Sequence, residues 1–178
     1  MKNTFLMPLL AIILAAAVLL GLTFGLKGLA SSNAQKEHLY MMQTLLPGSK
    51  DFTLEPYTGE DANIRRVHKA ENGFVIETAT QGYADEIVMM IGVSDDGKVK
   101  GLVVRDIHET YGLGNEALTN WQFLSQYLNT QGDAQVGEDV DAITGATVTS
   151  KAITRCVNSA VAYVTGADAN SGATSWGG

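Results

Sequence analysis

Apolar side chains are concentrated at the start of this chain, before any regular alternation begins. From Phe5 to Leu26 no side chain is charged, and most are aliphatic. At a rise of about 1.5 Å per residue, about 20 such residues cross the roughly 30 Å hydrocarbon layer of a bilayer. The pattern predicts a transmembrane anchor over residues 1–30. A cleaved signal peptide is the alternative, although its apolar core is normally about 7–15 residues long.

The predicted anchor is followed by a juxtamembrane segment, residues 31–50, and then by runs of β-forming residues. The apolar residues of the juxtamembrane segment recur at helical spacing: Leu39, Met42, Leu45 and Leu46. Three later stretches rich in valine and isoleucine are typical of strands: Gly73–Thr80, Glu86–Val93 and Val99–Asp106. The sequence Ser94-Asp95-Asp96-Gly97 between the last two predicts a hairpin, because glycine adopts positive φ easily. The sheet is therefore expected to be largely antiparallel.

Helical periodicity occurs in the second half. One helix is predicted over Ala117–Leu128, with its apolar face formed by Leu118, Trp121, Leu124 and Leu128. A second is predicted over residues 150–164, with Gly166 as its stop. Strands followed by helices predict an α+β fold. We expect one domain over residues 51–166, with flanking helices, and a flexible Gly/Ser-rich tail over residues 167–178.

The charge of the chain excludes some partners. Beyond residue 30, ten lysine and arginine residues stand against 19 acidic residues, which leaves a net charge of about −9. Nucleic acids and anionic lipid surfaces need a basic face, so neither is an expected partner. Cys156 is the only cysteine, which excludes an intrachain disulfide and a metal site made of several cysteines. His108-Glu109 lacks the second histidine of a zinc-binding helix, so no metal site is predicted.

The strongest candidate for chemistry lies just before the last predicted helix. It is a run of small and hydroxyl-bearing residues, Asp141-Ala142-Ile143-Thr144-Gly145-Ala146-Thr147-Val148-Thr149-Ser150. Small side chains let a backbone approach an anion, and unpaired N–H groups at a helix start attract phosphate. On these grounds alone the segment is a candidate phosphate cradle. An ordinary serine or threonine N-cap is the alternative.

Two motifs of this chain resemble those of a known family. Thr144–Thr149 is similar to the (S/T)GATxT flavinylation motif of the FMN-binding domain family. Residues 108–114, His-Glu-Thr-Tyr-Gly-Leu-Gly, are similar to that family's HxETPGLG segment. The two motifs have the order and spacing of the family, and the resemblance covers roughly residues 73–164. Tyr111 replaces the family's proline, so this loop lacks a residue that would restrict φ.

The resemblance implies a covalent flavin and a set of residues that hold it. FMN is expected to be joined through its phosphate to Thr149 by a separate flavin transferase that uses FAD as donor. The other site residues that the resemblance implies are Glu109, Thr110, Gly112, Leu113, Thr144, Gly145, Ala146 and Thr147. No side chain is expected to be catalytic, because the redox chemistry belongs to the flavin.

In size and layout the chain is most similar to family members in Rnf-type ferredoxin–NAD oxidoreductase complexes. This implies an electron-transfer subunit of a membrane-bound complex that translocates Na⁺ or H⁺, with other membrane and cytoplasmic subunits as partners. The FMN domain is expected on the extracytoplasmic side of the inner membrane. A subunit of a sodium-pumping NADH–quinone reductase is the near alternative. A non-redox exported binding or scaffold module is the alternative of a different class.

Two further patterns are weaker. Residues 112–117 fit the dinucleotide pattern G-x-G-x-x-G/A, but they do not follow their strand directly and no βαβ unit is predicted. Residues 171–174 repeat Ser-Gly-Ala-Thr, but Trp176 stands where the acceptor hydroxyl belongs. We interpret the first pattern as a turn and the second as part of the tail.

Overall fold

The computed structural model describes residues 6–106 and 119–167. The elements, in chain order, are helix α1 (Leu6–Leu45), strands β1 (Thr53–Glu55), β2 (Ile64–Ala70), β3 (Gly73–Gln81), β4 (Glu86–Ser94) and β5 (Val99–Asp106), helix α2 (Trp121–Leu124), a 3₁₀ helix (Ser125–Tyr127) and helix α3 (Thr147–Thr165). The chain divides into two compact units between Tyr40 and Met41, so the last residues of α1 belong to the unit that contains the sheet. The α+β fold class is confirmed.

The sheet is an antiparallel meander in which every strand pairs with its neighbour in sequence. Its order is β1-β2-β3-β4-β5. The three predicted strands are confirmed as β3, β4 and β5. The hairpin between β4 and β5 is also confirmed, because Ser94 N–H donates to the Lys98 carbonyl at 2.9 Å and Gly97 has φ +79°. Glycine is favoured there, since a side chain would be strained at positive φ.

Strands β1 and β2 were not predicted. β2 buries Ile64 and Val67, but Arg65 and Arg66 are both exposed. A register shift between Ile64 and Arg66 places these consecutive charged residues outside the core. Such a bulge breaks the strict alternation by which a half-buried strand is recognised. β1 has only three residues, too few to give a pattern.

Helix α3 packs on one face of the sheet and forms the main core. Its inward residues are Ala152, Ile153, Cys156, Val157, Ala160 and Val161. Near its C-terminal end, the Tyr163 and Phe74 ring centroids are 5.6 Å apart, at the start of β3. Its 19 residues extend about 28 Å. The first turn of α3 therefore lies towards the opposite end of the sheet, where β3 and β5 finish. The predicted stop is confirmed, since Gly166 has φ +72° at the C-cap.

The end of α1 packs on the other face of the sheet and forms a second, smaller core. Met42, Leu45 and Leu46 are buried there against two sheet residues, Val75 and Met90. The backbone of Leu45 lies directly over Gly92 and Gly101, which pair across β4 and β5. The two adjacent glycines leave a space that the backbone of α1 occupies and that any side chain would fill. The close approach of the α1 backbone to the sheet therefore explains glycine at both positions.

The helix predicted over Ala117–Leu128 is present in its described part, but its buried face is only partly as predicted. α-Helix covers Trp121–Leu124 and continues as 3₁₀ helix to Tyr127, whereas residues 117–118 lie outside the described residues. Leu124 is buried as predicted and Leu128 packs against the core, but Trp121 is 66% exposed, and Phe123 and Tyr127 are buried in its place. The helix gives way to a turn in which Asn129 has φ +66°, and backbone hydrogen bonds then join Asn129 and Thr130 to Val99 at the start of β5.

No helix in the part of the chain that the structure describes is both long and apolar enough to cross a membrane. The predicted anchor over residues 1–30 is therefore not shown. The boundaries predicted at residues 30, 50 and 166 remain predictions.

Candidate functional site

The start of α3 has no side-chain cap. Its N-cap residue is Ala146, whose side chain cannot accept a hydrogen bond, and the preceding Gly145 has φ +81°. The first four N–H groups of a helix have no partner within the helix, and serine or threonine at the N-cap normally satisfies one of them. The ordinary hydroxyl cap considered from the sequence is therefore excluded. Unpaired N–H groups at a helix start are a favourable site for an anion.

Ser150 closes the turn that precedes α3. Its hydroxyl accepts a hydrogen bond from Ile143 N–H at 3.3 Å and donates to the Ala146 carbonyl at 3.0 Å. A backbone bond from Ala146 N–H to the Ile143 carbonyl, 2.9 Å long, completes the turn. Ser150 is fully buried, so water does not compete for these bonds. The loop that carries the motif is thus tied to the second turn of the helix.

The motif residues divide between solvent and core. Thr144, Gly145 and Thr147 are exposed, and Ala146 is buried. Thr149 is only 1% exposed. It stands four residues before Ile153, on the stripe of α3 that packs against the sheet, so its side chain faces inward at the end of the sheet. Thr144–Thr149 thus span the turn before α3 and the first turn of the helix, and Thr149, the predicted acceptor, lies on the inner side.

A second hydrogen-bond chain continues from this turn into the core. The Tyr127 hydroxyl donates to Thr154 Oγ1 at 2.7 Å, because Thr154 in turn donates to the Ser150 carbonyl at 3.0 Å. Burial raises the pKa of Tyr127 above its usual value, so the phenol stays protonated and remains a donor. Its ring packs edge-on against Phe123, with centroids 5.6 Å apart. Sequence patterns did not single out Ser150, Thr154 or Tyr127 for this role.

The second predicted motif, with Glu109, Thr110, Gly112 and Leu113, lies outside the described residues. Strand β5 ends just before it, at Asp106, which pairs with Val88 near the start of β4. This is the end of the sheet toward which the first turn of α3 points. The chain therefore leaves β5 on the side of the domain that holds Thr149.

The described residues fit the phosphate of FMN. A phosphodiester is a monoanion, and the uncapped N–H groups and positive dipole end of α3 favour one negative charge. Gly145 and Ala146 keep bulky side chains away from the approach. Thr149 supplies a hydroxyl in the same turn.

A separate cavity of about 640 Å³ lies beside the C-terminal half of α3. It is lined mainly by residues that precede β2 and by one face of the helix: Tyr57, Glu60, Asp61, Asn63, Ser159 and Tyr163. None of the predicted site residues that the structure describes lines this cavity. The sequence offered no signal for this cavity, because its two walls come from segments about 100 residues apart.

Known proteins with similar sequences establish the family. Residues 82–162 match the FMN-binding domain. A subunit of the ion-translocating oxidoreductase complex of Methanosarcina acetivorans is 35% identical over 170 residues, which cover 84% of this chain and 87% of that protein. The corresponding subunit of Pseudoalteromonas atlantica is 31% identical over 188 residues, covering 91% and 86%. The chain belongs to the FMN-binding domain family, among the RnfG-type subunits of ion-translocating oxidoreductase complexes.

Other relatives match over a shorter stretch. The corresponding subunit of the Na⁺-translocating ferredoxin:NAD⁺ oxidoreductase complex of Acetobacterium woodii is 36% identical over 98 residues, which are 50% of this chain and 47% of that protein. The chain thus spans about half the length of this relative. A solved structure, NqrC of Shewanella oneidensis, is similar with a TM-score of 0.46 and 24% identity, over 66% of this chain and 65% of that one.

Proposed function

We propose that this chain is an electron-transfer subunit of a membrane-bound, ion-translocating ferredoxin:NAD oxidoreductase complex. It relays electrons through FMN that is bound covalently to Thr149. One observation carries the proposal: within the FMN-binding domain, α3 starts at an uncapped Ala146, with the Thr149 hydroxyl in its first turn. The relative from Acetobacterium woodii bears the name of such a complex.

The attachment is a phosphoryl transfer with FAD as the donor. The Thr149 oxygen forms a bond to the phosphorus of the FMN half and loses its proton. The bond between that phosphorus and the bridging oxygen breaks, and AMP leaves. A flavin transferase supplies the catalysis, since the turn contains no base of its own. Thr149 is only 1% exposed, so its hydroxyl has to become accessible to the transferase while the turn from Ile143 to Ala146 stays closed behind it.

Once attached, the FMN phosphate is held by the N–H groups of α3, and the flavin supplies the redox chemistry. We expect residues 108–114 to cover the ring, with Thr110 and Leu113 in contact with it and Glu109 and Gly112 shaping the loop. The support is topological, since β5 ends at Asp106 on the side of the domain toward which α3 starts. Thr144, Gly145, Ala146 and Thr147 surround the phosphate.

The proposed location is the extracytoplasmic face of the inner membrane. Residues 5–26, which carry no charge, act as the single membrane anchor, and the other membrane and cytoplasmic subunits of the complex are the partners. The net charge of about −9 beyond residue 30 suits a domain that contacts protein subunits rather than anionic lipid.

The decisive experiment compares two variants of the full chain, each produced with a flavin transferase and exported. Thr149→Ala should lose flavin fluorescence in a denaturing gel, because the link is covalent. Thr174→Ala, in the tail repeat that lacks the acceptor hydroxyl, should keep it. Mass spectrometry of the peptide that contains residues 147–151 identifies the modified residue. Fluorescence that survives in Thr149→Ala would refute the assignment. A wild-type chain without flavin would instead favour the scaffold alternative.

A further inference from the structure

Ser150 follows Thr149, the proposed flavin acceptor, and restrains the turn that precedes it. Its hydroxyl makes two bonds at once, one from Ile143 N–H and one to the Ala146 carbonyl, and these residues stand on both sides of Gly145. Gly145 is the one left-handed residue of the turn, and glycine has the largest freedom to leave such a conformation. Without the Ser150 hydroxyl, the turn would keep two backbone bonds, from Ala146 N–H to the Ile143 carbonyl and from Ser150 N–H to the Ala146 carbonyl, but it would lose the bond to Ile143 N–H.

The restraint extends beyond Ser150 into the core. Thr154 donates to the Ser150 carbonyl, and Tyr127 donates to Thr154. All three side chains are at most 2% exposed. Buried hydrogen bonds of this kind fix orientation, because an unmade bond leaves a desolvated polar group. The chain from Tyr127 to Ile143 therefore joins the core to the loop, and it crosses α3 at the residue next to Thr149.

We propose that Ser150 is a positioning residue for flavin attachment, supported from the core by Thr154 and Tyr127. The inference rests on the proposed function. Ser150 does not touch the reacting atoms, and it acts by fixing the turn from Ile143 to Ala146 and hence the direction of the Thr149 oxygen. Transfer of a phosphoryl group to that oxygen depends on its alignment with the donor, and small misplacements of reacting groups are costly in rate.

The test measures the rate of flavin attachment to the full-length chain by the transferase, with FAD in excess. Ser150→Ala should lower kcat at least about tenfold and leave KM for the protein substrate unchanged, because alignment is lost while the docking surface stays. Ser150→Thr keeps the hydroxyl and should recover most of the rate. Thr165→Val is the matched control. Thr165 makes the same type of bond, from its hydroxyl to the Val161 carbonyl at 3.0 Å, at the other end of the same helix.

A second pair of variants keeps the test decisive if Ser150→Ala does not fold. Tyr127→Phe and Thr154→Val each remove one hydroxyl from the supporting chain and should slow attachment by about threefold, while Thr154→Ser should not. Hydrogen exchange of the Ile143 amide, measured without any flavin, should quicken in the slowed variants and stay unchanged in Thr165→Val. Attachment at the wild-type rate in Ser150→Ala, or in both Tyr127→Phe and Thr154→Val, would overturn the inference alone. A wild-type chain that is never labelled at Thr149 would overturn it together with the proposed function.

Discussion

Replacing Gly92 with alanine should loosen the contact between α1 and the sheet. A Cβ at this position would lie 2.6 Å from the carbonyl carbon of Leu45 and closer still to its oxygen, whereas ordinary contacts begin at 3.4 Å. The obstacle is helix backbone, which cannot rotate away as a flexible side chain can. The end of α1 would therefore have to move off the sheet, and it carries Met42, Leu45 and Leu46 with it.

The loss of stability can be estimated from the apolar side chains that this movement exposes. Overpacking in a core typically costs about 1–3 kcal/mol. Each of the three helix residues gains roughly 1.5–3 kcal/mol from full burial, and part of that is lost when the helix end retreats. We expect a loss of about 3 kcal/mol in the free energy of unfolding of the sheet-containing unit. For a unit of this size, that corresponds to a fall in Tm of roughly 10 °C.

Urea denaturation and thermal melting of the full chain, followed by circular dichroism, measure this change. Gly101→Ala should be milder, since its Cβ would lie 2.9 Å from the Leu45 Cα and oxygen. Lys100→Ala, an exposed neighbour in β5, should stay within about 0.5 kcal/mol of the wild type. A Gly92→Ala chain as stable as the Lys100→Ala control would show that the close approach of α1 contributes nothing, and the reasoning would fail.

Three further outcomes are expected. Thr78→Val should be neutral or stabilising by up to about 1 kcal/mol in urea denaturation, because the Thr78 hydroxyl is fully buried and makes no hydrogen bond of ordinary length among the described residues, the Cys156 thiol beside it being only a weak partner. A loss above about 1 kcal/mol would show that the interaction with Cys156 stabilises the fold. Cys156 should resist iodoacetamide at pH 8 until the chain is denatured, because burial raises the pKa of its thiol to about 12, and rapid alkylation of the native chain would contradict this. The Ser94 hydroxyl, with help from Lys98, lowers the pKa of Asp96 from 3.8 to about 2. The pKa of Asp96 in the folded chain is thus below its unfolded value, so the stability that Asp96 contributes is present above about pH 4 and is lost as the pH falls through 2. In an NMR titration, Ser94→Ala should move this pKa back toward 3.8. An unchanged pKa would show that Ser94 does not cause the shift.

The central sheet could be predicted from sequence because its signals are local. Strands β3 to β5 are continuous runs of β-formers, and Gly97 marks the turn between two of them. β2 also contributes to the core, through Ile64 and Val67, but its bulge moves Arg65 and Arg66 out together and removes the alternation. The surroundings of the helix at Trp121 escape prediction for a different reason. The segment that follows the helix pairs with Val99, 30 residues before Asn129, and no local pattern records that pairing.

In the candidate site, too, some residues are marked by local sequence and others are not. The succession of small residues, hydroxyls and a helix start predicts only a phosphate cradle, and Thr149 is predicted as the acceptor through the resemblance of Thr144–Thr149 to the family motif. The parts that hold them could not be predicted, because Tyr127 and Thr154 are 27 residues apart and their hydrogen bond exists only after folding. The inward position of Thr149 also depends on how α3 packs against the sheet. The apolar stripe of α3 determines that packing only in part.

The position of α3 after the sheet in chain order links the site to the timing of synthesis. The sheet that α3 covers is complete at Asp106, whereas the helix itself ends at Thr165. A chain that emerges from its N-terminus first exposes the apolar face of β3 and β4 until synthesis has passed the helix. The turn around Gly145 gains its buried supports only after that face is covered. Under the proposed function, flavin attachment would therefore be limited to folded chains, since a chain that stops within α3 lacks the buried hydrogen bonds that support the turn before Thr149.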